Sequence, residues 1–132
     1  MDTGYSGTPL IKKLNLKPGF SICLIDAPNE YWDWLGIDMA QFMQAQAPYQ
    51  WVHVFATQRA ALEAHIAALR SQISPDGMIW VSWPKKSSKM LIDVTEDVIR
   101  EIAFANQLVD VKVCAVSPIW SGLKLVIRLK DR

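Results

Sequence analysis

Five segments of strand length follow one another along the chain. Residues 20–27, 51–56 and 78–83 are almost continuously apolar, which is typical of strands covered on both faces of a sheet. Residues 108–116 and 123–129 alternate between apolar and polar or charged side chains instead. This alternation predicts a terminal antiparallel hairpin.

A long helix is predicted between the second and third strands. Thr57 is expected to be its N-cap, and the helix is expected to run to about residue 73. Its core-facing positions recur at helical spacing, as Leu62, Ile66, Leu69 and Ile73. The sequence Ser-Pro-Asp-Gly over residues 74–77 then predicts a turn before the third strand.

A second long helix is predicted between the third strand and the hairpin. Asp93, followed three residues later by Glu96, forms a capping box, so the helix is expected to begin there and to reach about residue 105. Asn106 is expected to end it in the left-handed conformation.

The amino-terminal part of the chain predicts shorter elements. Residues 1–9 form a turn-rich arm, in which Thr8 is the expected N-cap of a short helix over residues 10–16 with Pro9 as its first position. Residues 30–35 predict a helical turn. Residues 37–50 fit a helix or a short edge strand, and the pattern favours the helix.

The order of these elements predicts one α/β domain over residues 1–132. Strands that alternate with amphipathic helices imply parallel crossovers, so the sheet is expected to be mostly parallel until its C-terminal antiparallel hairpin. The predicted fold is a truncated, three-layer Rossmann-like fold of the class I methyltransferase type. A full methyltransferase would carry more strands in its first half, so this assignment is an analogy at the level of the fold.

Composition narrows the function classes. Apolar residues make up 51% of the 132 residues, enough for one buried core, and the net charge of +1 argues against a nucleic-acid partner. No apolar run is long enough to span a membrane, and no signal peptide is evident. Cys23 and Cys114 lie in apolar runs, so free thiols and a cytoplasmic location are expected.

Several strings of the sequence together resemble one bacterial family. They include Gly-Tyr-Ser-Gly-Thr-Pro-Leu over residues 4–10, Trp-Val-Ser-Trp-Pro-Lys-Lys over residues 80–86 and Trp-Ser-Gly-Leu-Lys over residues 120–124. The chain resembles the small bacterial proteins called domain of unknown function 3052 over nearly its whole length. Asn29 and Asn106 stand where that resemblance leads us to expect glycine. The resemblance implies a bacterial cytoplasmic protein and implies no activity.

Polar and aromatic residues are expected to converge at the carboxyl edge of the sheet, where open α/β folds bind ligands. Residues 27–30, 56–59, 83–88 and 117–122 reach that edge. The candidate ligand-binding residues fall in the last two segments and the arm, as Trp83, Lys85, Lys86, Ser87, Ser88, Trp120, Ser121, Gly122, Tyr5 and Ser6.

Each group of candidates has a second interpretation. The lysines and serines after Trp83 have the chemistry to hold a phosphate or carboxylate, and they also fit a solvated charged loop. Trp120 and Gly122, expected in the hairpin turn, fit ring stacking or an ordinary turn. Tyr5 and Ser6 fit a lid across the edge or a frayed terminus.

The sequence predicts no catalytic set and no metal site. Two histidines and two dispersed cysteines lack zinc spacing; His53 is expected to be a hydrogen-bonded core residue and His65 to lie on a helix surface. Asp26, which follows the first strand, is the best lone carboxylate candidate, with a turn role as the alternative. Pro28 and the absence of a G-x-G motif argue against a conventional cofactor turn.

Three hypotheses follow from the sequence. The first is a non-catalytic binding or regulatory module for a small anionic or nucleotide-like ligand or a protein partner. The second is a degenerate S-adenosylmethionine-dependent methyltransferase-like enzyme. The third is an interaction protein with a tryptophan-rich face, suggested by six tryptophans. The sequence identifies neither a cofactor nor an oligomeric state.

Overall fold

The computed structural model describes residues 9–36 and 46–132, and five strands in this part form one sheet. The strands are β1 (Ile22–Ile25), β2 (Tyr49–Phe55), β3 (Ile73–Pro84), β4 (Leu108–Ala115) and β5 (Trp120–Ile127), and they lie in the order β1-β2-β3-β5-β4. The first three strands are parallel, and β5 lies antiparallel to both β3 and β4.

In the described ranges 9–36 and 46–132, four α-helices cover the two faces of the sheet and complete three layers. They are α1 (Leu10–Lys13), α2 (Tyr31–Leu35), α3 (Arg59–Leu69) and α4 (Glu96–Ala105). Single 3-10 turns occupy Lys86–Ser88 and Leu129–Asp131. The mostly parallel sheet with a C-terminal antiparallel pair confirms the predicted fold class.

Each face of the sheet packs its own core. The face under α3 and α4, here called the aliphatic face, buries mainly branched side chains, among them Val54, Leu62, Ile66, Val81 and Ile99. The face under α1 and α2, here called the aromatic face, buries Leu14, Ile22, Tyr31, Leu35, Trp51, Phe55, Trp80 and Val116. The period-2 alternation of β2 and β3 therefore sends most of their aromatic and aliphatic side chains to opposite layers, with Trp83 of β3 on the aliphatic face.

The third strand is longer than the sequence predicted. The turn predicted over residues 74–77 and the end of the first long helix near residue 73 are both wrong, because α3 ends at Leu69 and β3 already begins at Ile73. The register jumps from the pair Tyr49 and Ile73 to the pair Trp51 and Met78, so an irregularity accommodates the extra residues. Beside this irregularity the Ser74 hydroxyl donates to the Tyr49 carbonyl at 3.3 Å, a contact that the local sequence does not reveal.

The helix starts also differ from the predicted caps. Thr57 is not the cap of α3: the carboxylate of Asp93 accepts a hydrogen bond from the Arg59 N–H at 2.5 Å. Helix α4 begins at Glu96, and the hydroxyl of Thr95 accepts from the Val98 N–H at 3.2 Å. The predicted capping box is therefore wrong, since Asp93 serves the start of the other helix.

The end of α4 is shifted by one residue from the prediction. Asn106 has φ −115°, and Gln107, with φ +60°, takes the left-handed conformation instead. The Asn106 side-chain amide donates to the Ile102 carbonyl at 2.8 Å. The backbone carbonyl of Asn106 accepts from Arg70 Nε at 2.9 Å. These two bonds hold Asn106 near the helix, so the chain reverses after it.

The remaining early predictions divide between the described and the undescribed residues. The arm over residues 1–8, with the predicted N-cap Thr8, and the predicted helix over residues 37–45 lie outside the described residues. For residues 49 and 50 the helix prediction is wrong, since both belong to β2. Pro9 is the N-cap of α1 rather than its first position. None of the described helices is long and apolar enough to cross a bilayer.

Candidate functional site

The carboxyl ends of β1 and β2 present a run of polar backbone and side-chain groups. Asp26 follows β1 directly and is exposed, with φ +58° in the left-handed region. This conformation is strained for most residues and is best tolerated by Asp, Asn and Gly. Thr57 and Gln58 follow β2, and the Ala56 N–H donates to the Ser82 carbonyl at 2.9 Å. The backbone is thus held in place after β2, and the side chains of Asp26, Thr57 and Gln58 lie at the carboxyl edge of the sheet.

A cleft of about 250 Å³ opens at this edge. Its aromatic side is formed by Phe55 and Trp120, whose rings meet edge to face with centroids 5.0 Å apart. Its helical side is formed by the first turns of α3, through Ala61, Leu62 and His65. Trp120 begins the antiparallel strand β5, which is why it reaches the same edge as the ends of the parallel strands.

The cleft combines one carboxylate with neutral polar groups and two aromatic rings. Asp26, Thr57, Gln58 and His65 line it beside the rings. Its volume lies just below the usual range of small-molecule sites, about 300–1,000 Å³. The arrangement suits a ring held against aromatic side chains and hydroxyl or amino groups bonded to Asp26. Across residues 9–36 and 46–132, no group of three or more His, Cys, Asp or Glu has metal-site spacing.

A buried hydrogen-bonded chain lies directly behind the aromatic side of the cleft. Tyr31 Oη is 2.7 Å from His53 Nδ1, and His53 Nε2 is 2.7 Å from Ser82 Oγ. The three residues are at most 1% exposed. Burial lowers the pKa of His53 to about 3, and burial followed by the nearby Cys114 raises the pKa of Tyr31 well above its usual value. The imidazole is therefore neutral at physiological pH, as expected for the predicted core histidine.

Known structures share this arrangement of strands and helices. The sheet has the fold of the class I methyltransferases. The chain is similar to a proposed type 11 methyltransferase from Sulfolobus solfataricus, with a TM-score of 0.65 and 13% identity, over 99% of this chain and 96% of that one.

Two further methyltransferases show the same fold. Magnesium protoporphyrin IX methyltransferase from Synechocystis PCC 6803, with bound SAM, matches with a TM-score of 0.61 and 17% identity, over 90% of this chain and 74% of that one. Mitomycin 7-O-methyltransferase matches with a TM-score of 0.62 and 7% identity, over 91% of this chain and 52% of that one. No protein-family model and no curated protein matches the chain.

The structure separates the residues that the sequence grouped into one site. Trp120 lines the cleft, whereas Trp83 is 9% exposed and packs into the aliphatic face. Both lie at the same rim, because Pro84 pairs with Trp120 and Trp83 pairs with Ser121. Neighbouring positions on a strand point to opposite faces, so Trp83 and Trp120 do not form a shared pocket wall.

Trp120, Ser121 and Gly122 lie within β5, so their predicted place in the hairpin turn is wrong. A Cβ on Gly122 would come within 3.0 Å of Val116 Cγ2 and 3.4 Å of Trp80 Cε3. Gly122 is therefore required by close packing of the aromatic face rather than by a turn.

The lysine and serine loop lies beside the cleft rather than inside it. Lys85 Nζ donates to the Ser117 carbonyl at 3.3 Å, and Ser88 Oγ accepts from the Met90 N–H at 3.3 Å. Lys86 is exposed. The Ser87 side chain and the residues Tyr5 and Ser6 lie outside what the structure describes. An anion-binding role for this loop stays a prediction.

Sequence reasoning missed the helical side of the cleft. The sequence predicts His65 on the helix surface; it is half-buried and lines the cleft one turn after Ala61. The spacing i, i+4 from Ala61, in the first turns after a parallel strand, is the signal that could have found it. Trp51 and Trp80 are fully buried, whereas Trp32, Trp34 and Trp120 are partly exposed, so a tryptophan-rich interaction face stays a prediction.

Proposed function

We propose that the protein is a small-molecule-binding module whose ligand lies in the carboxyl-edge cleft. The supporting observation is the cleft itself, which gathers Asp26, His65 and Trp120 where open α/β sheets bind ligands. The ligand class that suits these groups is a nucleoside or nucleotide. Its base would lie against Trp120 and Phe55, and its ribose hydroxyls would donate to Asp26.

S-adenosylmethionine and S-adenosylhomocysteine are the first probes to use. SAM and SAH are bound in structures of magnesium protoporphyrin IX methyltransferase, which has the same fold as this chain. Each probe carries an adenosine, whose base and ribose hydroxyls match the aromatic rings and the carboxylate that line the cleft. Adenosine and inorganic phosphate, tested alongside, separate recognition of the base and ribose from attraction of an anion to the Lys85 and Lys86 loop.

Titration calorimetry with Asp26→Asn tests the assignment. Asparagine tolerates the left-handed backbone of Asp26, so the variant removes the charge and leaves the loop conformation in place. We expect its affinity for S-adenosylhomocysteine to fall about tenfold, the loss of one charged hydrogen bond. Asp76→Asn, on an exposed carboxylate near the start of β3, is the matched control and should bind as the wild type does. Absence of heat with every probe, or equal affinity in the two variants, would refute the proposal.

Methyl transfer from S-adenosylmethionine is the second candidate, and the methyltransferase fold favours it. The turn after β1 reads Asp-Ala-Pro-Asn, in which Pro28 supplies no N–H donor, so a methionine portion would find fewer backbone partners there. S-adenosylmethionine binding at least about tenfold tighter than adenosine would support this candidate, because the amino-acid portion would then contribute. Equal affinity would leave the binding module as the better assignment.

A protein partner is favoured by one surface feature. Leu91 is 100% exposed and Met90 is 45% exposed, next to the lysine loop at the same edge. Two adjacent exposed apolar side chains could form part of a contact surface, although single ones are common on protein surfaces. Co-purification with wild-type protein and with Leu91→Ser would test this partner hypothesis. Membership in the domain of unknown function 3052 family and a cytoplasmic location remain predictions from the sequence.

A further inference from the structure

We propose that the buried chain Tyr31–His53–Ser82 positions the aromatic wall of the cleft, formed by Phe55 and Trp120. The three residues do not line the cleft and are positioning residues. The inference rests on the proposed function only in that a positioned wall matters to a bound ligand. The orientation of the wall itself is a property of the free protein.

Both nitrogens of the His53 ring are engaged. Nδ1 lies 2.7 Å from the Tyr31 hydroxyl and Nε2 lies 2.7 Å from the Ser82 hydroxyl. A neutral imidazole has one donor and one acceptor nitrogen, so these two bonds use its whole capacity. The ring cannot turn without breaking a bond in a site closed to water, where an unpaired polar group is costly.

The fixed imidazole then sets the ring of Phe55. His53 and Phe55 are two positions apart on β2 and stack with centroids 4.4 Å apart and planes 23° apart. Tyr31 holds the same Phe55 ring edge to face at 5.5 Å. Two members of the chain therefore contact Phe55, one on its face and one at its edge.

Phe55 in turn meets Trp120, a ligand-binding candidate from the sequence that lines the cleft. The two rings are edge to face at 5.0 Å and 79°. Trp120 is only partly buried, whereas Trp51 and Trp80 are fully buried. The orientation of the partly exposed Trp120 ring is thus linked to the hydrogen-bonded chain through Phe55.

Comparison with the aliphatic face shows that the hydrogen-bonded chain Tyr31–His53–Ser82 does more than fill space in the core. There, Val52, Val54 and Val81 fill the equivalent strand positions with purely apolar contacts. Apolar packing specifies volume, whereas two directional bonds on one ring specify its angle. Because this hydrogen-bonded chain contacts the Phe55 ring of the cleft wall, ring orientation is the role we assign to it.

Fluorine NMR of protein labelled with 5-fluorotryptophan reads the wall directly. The chain has six tryptophans, so the Trp120 resonance is assigned by its loss in Trp120→Phe. Tyr31→Phe and Ser82→Ala each remove one hydroxyl from the chain. The matched control is Val81→Ala, which removes buried volume next to Ser82 on the same strand and toward the aliphatic face.

We expect the Trp120 resonance to shift or broaden in Tyr31→Phe and Ser82→Ala and to stay in place in Val81→Ala. In the same two variants, affinity for S-adenosylhomocysteine should fall about threefold or more, with the control unchanged. An unmoved Trp120 resonance in both hydroxyl variants overturns the inference, and so does an equal shift in the control. If wild-type protein binds none of the probes, the proposed function fails while the NMR comparison still decides the positioning role.

Discussion

The aliphatic face and the aromatic face of the same sheet are held by different kinds of contact. Helices α3 and α4, of eleven and ten residues, cover the aliphatic face through branched side chains. Helices α1 and α2 have only four and five residues, too short to be stable alone, and the aromatic face beneath them uses directed hydrogen bonds. Trp51 Nε1 and Trp80 Nε1 both donate to the Leu14 carbonyl at 2.8 Å. Long helices can rely on buried area, whereas short ones need specific anchors.

The largest effect should come from a cavity in the aliphatic face. Ile66→Ala removes a side chain that is 1% exposed, and we expect a loss of about 2–5 kcal/mol in the free energy of unfolding. Urea denaturation measures the loss, and the fluorine resonance of Trp120 should not move. A shifted Trp120 would mean that the two faces are coupled and that the comparison is too simple.

Acid should act on the aromatic face through His53. Its folded pKa of about 3 lies below the model-peptide value of 6.5, because burial disfavours the charged imidazole. The unfolded chain therefore binds the extra proton first, so stability is complete above pH 6.5 and falls as the pH drops toward 3.

In this window the free energy of unfolding should fall by roughly 1 kcal/mol per pH unit. The accumulated loss at pH 4.5 should be on the order of 2–3 kcal/mol. Denaturation measured across this pH range in wild type and in His53→Phe isolates the contribution of His53, because both proteins carry the same carboxylates. Parallel pH curves for the two proteins would show that His53 is not responsible.

Loss of one indole anchor should have a smaller effect. Trp80→Phe removes the indole N–H that donates to the Leu14 carbonyl, together with part of a buried ring. We expect the free energy of unfolding to fall by about 1–2 kcal/mol. Hydrogen exchange at the Leu14 amide, which bonds the Leu10 carbonyl, should become faster because α1 is released. Trp83→Phe, on the aliphatic face, is the control and should leave that exchange unchanged.

The smallest effect separates two helix caps on the aliphatic face. Asp93→Ala should cost about 1 kcal/mol and increase exchange in the first turn of α3, since Asp93 bonds the Arg59 N–H. Thr95→Ala should have a similar cost and increase exchange in α4 instead. If Asp93→Ala loosened α4, the capping box predicted from the sequence would be right after all.

The aliphatic face was largely accessible to sequence reasoning and the aromatic face was not. Leu62, Ile66 and Leu69 recur at helical spacing, and this local pattern is sufficient to place α3. The acceptor for Trp80, by contrast, is Leu14, 66 positions away, and no local periodicity encodes such a pair. The same reason explains Asp93, which caps a helix that begins 34 positions earlier.

The candidate site divides in the same way. Asp26 and the segment after β2 were recognised at the carboxyl edge, since the rule for parallel strands needs only their order. Trp120 was recognised for its chemistry, though its place in a turn was wrong. Its separation from Trp83 depends on the register of β3 and β5, which decides the face of every side chain and cannot be read from composition.

One carbonyl oxygen in the amino-terminal segment has a consequence for how the chain can be shortened. The Leu14 carbonyl is the shared acceptor of two indoles from neighbouring central strands, so it uses both of its lone pairs. A version starting at residue 17 would leave two buried donors without that acceptor and uncover the rings beside them. Expression trials should therefore retain everything from Pro9 onward, even though residues 9–16 contribute no strand to the sheet.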